Sequence, residues 1–249
     1  MLKIPLIDLV VLAWFSLCWA GYTFFARRKS KRKPSLVMAM RIYRREWFKN
    51  MIGQEVRIAH IAALSSLQAG TTFFASTALV ILGGLVALLG TTEQVIHVAA
   101  DLPFARSDSE FVWLVRIILL ILIFVYAFFK FTWSIRQFNF CTVLVGSAPR
   151  TDRPEEYGEF LDTITSVASY AAENFNLGLR AYYFALAALT WFLHPWLFAA
   201  ASTFVVYILH EREFRSETLQ TLTRPNAIRQ SLHLPDEVVR KHRPRPDGG

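Results

Sequence analysis

Only two cysteines, Cys18 and Cys141, occur in 249 residues, and each falls inside an apolar run. That excludes a disulfide-stapled secreted scaffold. Acidic side chains are scarce too: 19 Asp and Glu stand against 27 Lys and Arg, a formal net charge of +8. The spacings that carry chemistry are also lacking. Gly83-Gly84 lies within an apolar stretch and no Lys-Ser or Lys-Thr follows it, so there is no phosphate-cradling loop. Ser76 and Thr77 have no base at a predictable spacing and no Gly-x-Ser-x-Gly elbow around them. The string His210-Glu211-Arg212-Glu213 lacks the second histidine of a zincin helix, and His60, His97 and His210 are scattered. His194, beside Pro195, reads as a turn residue. No metal and no cofactor is expected, and the chain is read as a non-enzyme.

What is present is apolar mass. Apolar side chains make up 54% of the chain and mean hydropathy is +0.34, above the composition of soluble domains. Twenty-one Phe, eight Tyr and seven Trp are more than a disordered chain carries. The charge is placed unevenly. From Arg27 to Arg57 eleven Lys or Arg face Glu46 and Glu55, whereas from Thr91 to Glu110 Arg106 alone faces four acids. Alternating basic and acidic polar segments belong to a membrane protein rather than to a nucleic-acid binder, whose basic residues line one folded face. The expected architecture is an all-α, polytopic transmembrane bundle of four to five spans with a basic amphipathic cytoplasmic helix. Residues 1–214 are read as a single domain and 215–249 as a basic, mobile tail.

The first span is expected at 4–26, as an uncleaved signal anchor with the basic run Arg27 to Lys33 on its cytoplasmic side. Asp8, near its outer end, is expected to be open to water. From Pro34 to Leu67 the period becomes helical. Leu36, Met40, Tyr43, Trp47 and Met51 form one stripe, and Arg41, Arg45 and Lys49 another. Such a helix suits an anionic bilayer surface or a partner, with Arg41, Arg45, Trp47 and Lys49 as candidate contacts; packing of its apolar face on the bundle is the other reading, and the two are compatible. The second span, 70–90, has no charge, and its Gly83 and Ala87 are a small-xxx-small pair expected to pack tightly within the bundle. A third follows at 111–131, with helix persisting to Val145. The last apolar block is either one span at 181–209 or a hairpin broken at His194-Pro195, with spans at 167–193 and 195–209. The hairpin is preferred because it returns the basic tail to the cytoplasm.

Several separated strings form a familiar set: Met40, Arg41, Arg45, Trp47, Met51, Glu55 and Arg57; Phe73 to Thr77 leading to Gly83-Gly84; Phe129 to Asn139; and Asn176 to Phe184 followed by Leu193-His194-Pro195-Trp196. Together they resemble domain of unknown function 599, a family of bacterial and plant membrane proteins. The resemblance brings a membrane setting and no activity.

Polar residues at membrane depth are the remaining signal. Glu173, Asn176, Arg180 and Tyr183 fall at i, i+3, i+7 and i+10, one helical face, and Arg136 and Asn139 share another. A charge at the bilayer centre costs about 2.5 to 3.5 kcal/mol on insertion scales, so such residues are expected to turn inward and pair. Arg136 and Glu173 are expected to meet, with Asn139, Asn176 and Arg180 completing a network. It would either line a substrate or ion path or clamp helix register. Two functions remain: a transporter- or channel-like protein, and a structural or interaction protein docking through its amphipathic helix. Membrane lipids are the expected partners, with homo-oligomers allowed and nucleic acid excluded, in a bacterial inner membrane with the C-terminus in the cytoplasm.

Overall fold

The computed structural model describes residues 5–30, 35–90, 110–149 and 157–223, and among them every regular element is helical. In chain order these are α1 (Leu6–Ser30), α2 (Leu36–Ile52), α3 (Ile58–Gly90), α4 (Glu110–Ser147) and α5 (Gly158–Leu189). A 3₁₀ turn (Thr190–Phe192), α6 (Pro195–Phe214) and α7 (Glu217–Leu222) complete the chain. Three of them, α1, α3 and α4, are long and apolar enough to cross a membrane. At 1.5 Å per residue the 38 residues of α4 reach about 57 Å, well beyond a hydrocarbon core of about 30 Å.

Contacts fix the relative directions of α1, α4, α5 and α6. Along α4 the residues Trp113, Phe124 and Ser134 meet Phe192, Tyr182 and Ala171 in turn, so α4 and α5 are antiparallel. Phe15 and Tyr22 of α1 meet Phe184 and Arg180, which makes α1 antiparallel to α5. Trp14 and Lys29 meet Thr203 and His210, which makes α1 parallel to α6. The chain thus turns back after α5. His194 closes the break: it is extended, its Nδ1 accepts the Trp196 N–H, and Pro195 starts α6 where a missing N–H does no harm.

Two clusters form the core. One joins α1, α3, α4, α5 and α6 through aromatic rings, including Trp19 stacked on Phe184 and Phe74 stacked on Phe131. At its tightest point a Cβ added to Gly178 would lie 2.5 Å from the Phe131 ring. Phe131 is fully buried among Phe74, Phe175 and Tyr182 and has nowhere to turn. Gly178→Ala is therefore expected to destabilise by about 1–3 kcal/mol through overpacking, read as an earlier melt in detergent. The small pair in α3 behaves otherwise: Gly83 is exposed with nothing within 4 Å of an added Cβ, so the tight bundle packing expected there belongs to Gly178 instead.

The second cluster occupies the far ends of α4 and α5, where α2 seats Phe48, Met51 and Ile52 against Phe138, Cys141, Val145, Leu161 and Ile164. The face that α2 buries is thus Ala39, Phe48, Met51 and Ile52, rotated from the expected stripe, and it packs on the protein's own helices. Nor does one helix run from Pro34 to Leu67. α2 stops at Gly53 and α3 begins at Ile58, because Arg57 ties the turn down. Its guanidinium donates to the carbonyls of Ile52, Gln54, Val145, Ala148 and Pro149, closing the carboxyl ends of α2 and α4 together. Beyond Phe214, where a mobile tail was expected, Ser216 caps α7, Leu219 is buried, and Tyr43 Oη donates to the Leu222 carbonyl. The rest of that tail and the acidic segment 91–109 lie outside the described residues.

Candidate functional site

Polar side chains gather in three groups. At the end remote from α2, Asp8 is fully buried and accepts a hydrogen bond from Trp191 Nε1 at 2.7 Å, with Arg116 Nη2 at 3.6 Å from the same carboxylate oxygen. Arg116 and Trp191 are 2% and 1% exposed, and the guanidinium also lies over the rings of Trp191 and Phe192. Asp8 is therefore not open to water as expected. α1, α4 and the 3₁₀ turn after α5 converge on it, which makes this a clamp.

Nearer the α2 end, α4 and α5 share a polar seam. Lys130 Nζ donates to Asn174 Oδ1 at 3.3 Å, Asn174 Nδ2 donates to Gln137 Oε1 at 2.9 Å, and Ser134 Oγ donates to the Ala171 carbonyl at 2.7 Å. This is the level at which Arg136 and Glu173 were expected to meet. Instead Arg136 is exposed and lies over Trp133 and Phe140 of its own helix, with Asn139 exposed beside it; Glu173 is half-buried on α5. A long basic side chain near a helix end reaches polar surroundings along its own helix at less cost than it pairs inside.

The third group lines a cavity of about 750 Å³ that opens beneath α2. Asn176, Arg180 and Tyr183 of the predicted α5 face line it together; Arg44 from α2, Tyr22 from α1, and Arg212 and Glu213 from α6 join them. Arg180 packs over the Tyr22 ring at 4.9 Å, and Arg212 Nη1 donates to Tyr183 Oη at 2.6 Å. Three guanidiniums thus face one carboxylate. Glu213, four residues past the apolar run of α6, has its carboxyl pushed above the ordinary value by burial, while Arg180 and the Val37 N–H favour its charged form. Burial presses the Arg44 guanidinium below its ordinary value. Two buried donors, Tyr22 Oη and Arg44 Nη1, have no hydrogen-bond partner among the described residues.

The candidate surface contacts on α2 are engaged within the chain. Arg45 Nε pairs with Asp162 Oδ1 at 3.0 Å, Arg41 reaches Ser166 Oγ at 3.5 Å, Lys49 lies 3.8 Å from Glu46, and Trp47 Nε1 donates to His60 Nδ1. Sequence reasoning missed Arg44, Arg212 and Glu213, although Tyr183 at i+10 pointed to the cavity wall. No cluster of three or more His, Cys, Asp or Glu side chains suited to a metal ion occurs among the described residues.

Comparison with known proteins gives no match to any curated protein and none to any solved structure. The profile of one family, described as "Protein of unknown function, DUF599", matches residues 10–218, five-sixths of the chain and all of the bundle that builds the cavity. The four separated strings and the extent of that match agree, and the chain belongs to the DUF599 family.

Proposed function

We propose that this membrane protein binds an anion in the cavity under α2 and works in a transport-like way, passing that ligand between the cavity and the bundle. The observation that carries the reading is the gathering of Arg44, Arg180 and Arg212 against the single carboxylate of Glu213 in an otherwise largely apolar cavity. Charges are held in such surroundings where they act on a ligand, and a guanidinium fork suits a carboxylate or phosphate. The hairpin of α5 and α6 supports two further crossings, five in all, with Arg180 inside the membrane boundary. The excess of positive charge between Arg27 and Arg57 favours the cytoplasm for the α2 end, in a bacterial inner membrane. No catalytic step is assigned.

The docking alternative draws less support, because the buried face of α2 is used on the protein's own core and Arg41 and Arg45 reach across to α5. The two readings separate in proteoliposomes. Wild-type protein is expected to speed the passage of an anionic probe, carboxyfluorescein across the bilayer or fluorescent phosphatidylglycerol between leaflets, and Arg180→Gln to remove most of that gain. If Arg180→Gln left the rates intact while charge reversal at Arg41, Arg45 and Lys49 abolished function, docking would replace transport.

A further inference from the structure

We propose that the occupant of the α2-end cavity is an anionic glycerophospholipid from the adjoining leaflet, its phosphate held by Arg44, Arg180 and Tyr22 and an acyl chain laid along Phe74, Phe175 and Leu179. This rests on the anion-binding reading and names the ligand class for the same site. Size is the first reason. A volume of about 750 Å³ lies within the range of sites for organic ligands, and an inorganic anion, displacing a few waters of about 30 Å³ each, would leave most of it unfilled.

The second reason is a lining with both an apolar and a charged part. Phe74, Phe175 and Leu179 pack on the apolar core, whereas Arg180, Arg212, Glu213 and Ser216 line the same cavity. On α1, Tyr22 stands eight residues, about 12 Å, before the helix ends at Ser30. An amphiphile matches both parts, and a soluble anion matches one. Access is the third reason: Leu67 and Gly70 of α3 line the cavity and are themselves exposed on the bundle surface, so the cavity adjoins the face that lipid covers.

The donors are in place for a phosphodiester. Tyr22 is 4% exposed and its hydroxyl has no partner among the described residues, and Arg44 Nη1 is likewise buried without one. Phosphate oxygens accept from both, with the Arg180 guanidinium beside the Tyr22 ring adding charge. Glu213 disfavours a dianionic headgroup, so a singly charged phosphodiester is preferred to a phosphomonoester.

The test uses the full chain in phosphatidylcholine nanodiscs doped with phosphatidylglycerol, followed by native mass spectrometry of the released protein. Phosphatidylglycerol is expected to be retained about tenfold above its share of the bilayer, and Arg180→Gln to reduce it to that share. Tyr22→Phe, which removes one oxygen and keeps the ring, is expected to reduce retention severalfold. Glycerol 3-phosphate is the second probe and is expected not to displace the lipid. If glycerol 3-phosphate bound with the same dependence on Arg180 while lipid was not enriched, the lipid assignment would fall and the anion-binding reading would stand. If neither probe depended on Arg180, both would fall. Should Arg180→Gln not fold, Arg44→Gln on α2 carries the same comparison.

Discussion

Replacing Asp8 with Asn is expected to remove about 3–5 kcal/mol of stability, a fall of roughly 10 °C in the melting temperature in detergent. The carboxylate is fully buried and one of its oxygens takes both the Trp191 N–H and the Arg116 guanidinium. An amide takes the Asp8 charge away from Arg116 at 2% exposure, and that loss of a buried ion-pair partner is the larger part of the effect. Arg116→Met is expected to fall by a similar amount, since it strands the Asp8 carboxylate instead. The double variant Asp8→Leu/Arg116→Met removes both charges and is expected to recover most of the stability, because a buried ion pair holds little net advantage over well-packed apolar side chains. Trp191→Phe loses only a hydrogen bond to a charged acceptor, about 1.5–3 kcal/mol. Singles that melt like the wild type would mean that this end of the bundle is open to water.

Arg180→Gln is expected to lower both anion binding and probe passage by roughly ten- to hundredfold, the equivalent of a charge-assisted hydrogen bond of about 1.5–3 kcal/mol. Arg180 holds this weight among the three cavity arginines because of its surroundings. Arg212 already spends a guanidinium nitrogen on Tyr183, and Arg44 stands on α2 at the cover, whereas Arg180 is on α5 against the Tyr22 ring. Glutamine keeps much of the stem and some donors while removing the charge, so the fold should persist. Lysine restores charge without the planar fork that lies over the ring and is expected to recover binding in part. Equal loss in Lys and Gln variants would assign the effect to geometry; no loss in either would move the site elsewhere.

Much of this fold is legible in one dimension, and particular residues show why the remainder is not. The apolar runs of α1, α3 and α4 exceed any soluble helix need, and Pro195 preceded by a capping His194 marks the return of the chain. Glycine at 53 was the signal for the break between α2 and α3. The helical period hides it, since Trp47, Met51 and Ile61 continue to recur at helical spacing on either side. What closes the turn, Arg57 bridging to the end of α4, is a contact across 88 or more residues that periodicity cannot express. Rotation of α4 is the other gap. Arg136 and Asn139 share a face, but the face turned to α5 carries Lys130, Ser134 and Gln137. Small residues help set it: Ala171 and Gly178 on α5 lie directly against Ser134 and Phe131 of α4. Asn176, Arg180 and Tyr183 do share one wall of the cavity, because helical spacing within a single element is local and survives any error in how elements pack. Asp8 and Arg116 lie 108 positions apart on different helices, and neither announces the other.

The most direct measurement is the sidedness of the α5–α6 hairpin. Single cysteines at Trp196, Glu55 and Glu217, all at exposed positions, would be labelled by a membrane-impermeant maleimide in intact cells, in a background with Cys18 and Cys141 replaced by Ala. Trp196 is expected to react from outside while Glu55 and Glu217 react only after the membrane is opened, which puts the cavity and Arg180 at the cytoplasmic boundary of a five-span bundle. Labelling of Trp196 and Glu217 from the same side would contradict it: α6 would not cross, and a transport path through Arg180 would have no membrane to cross.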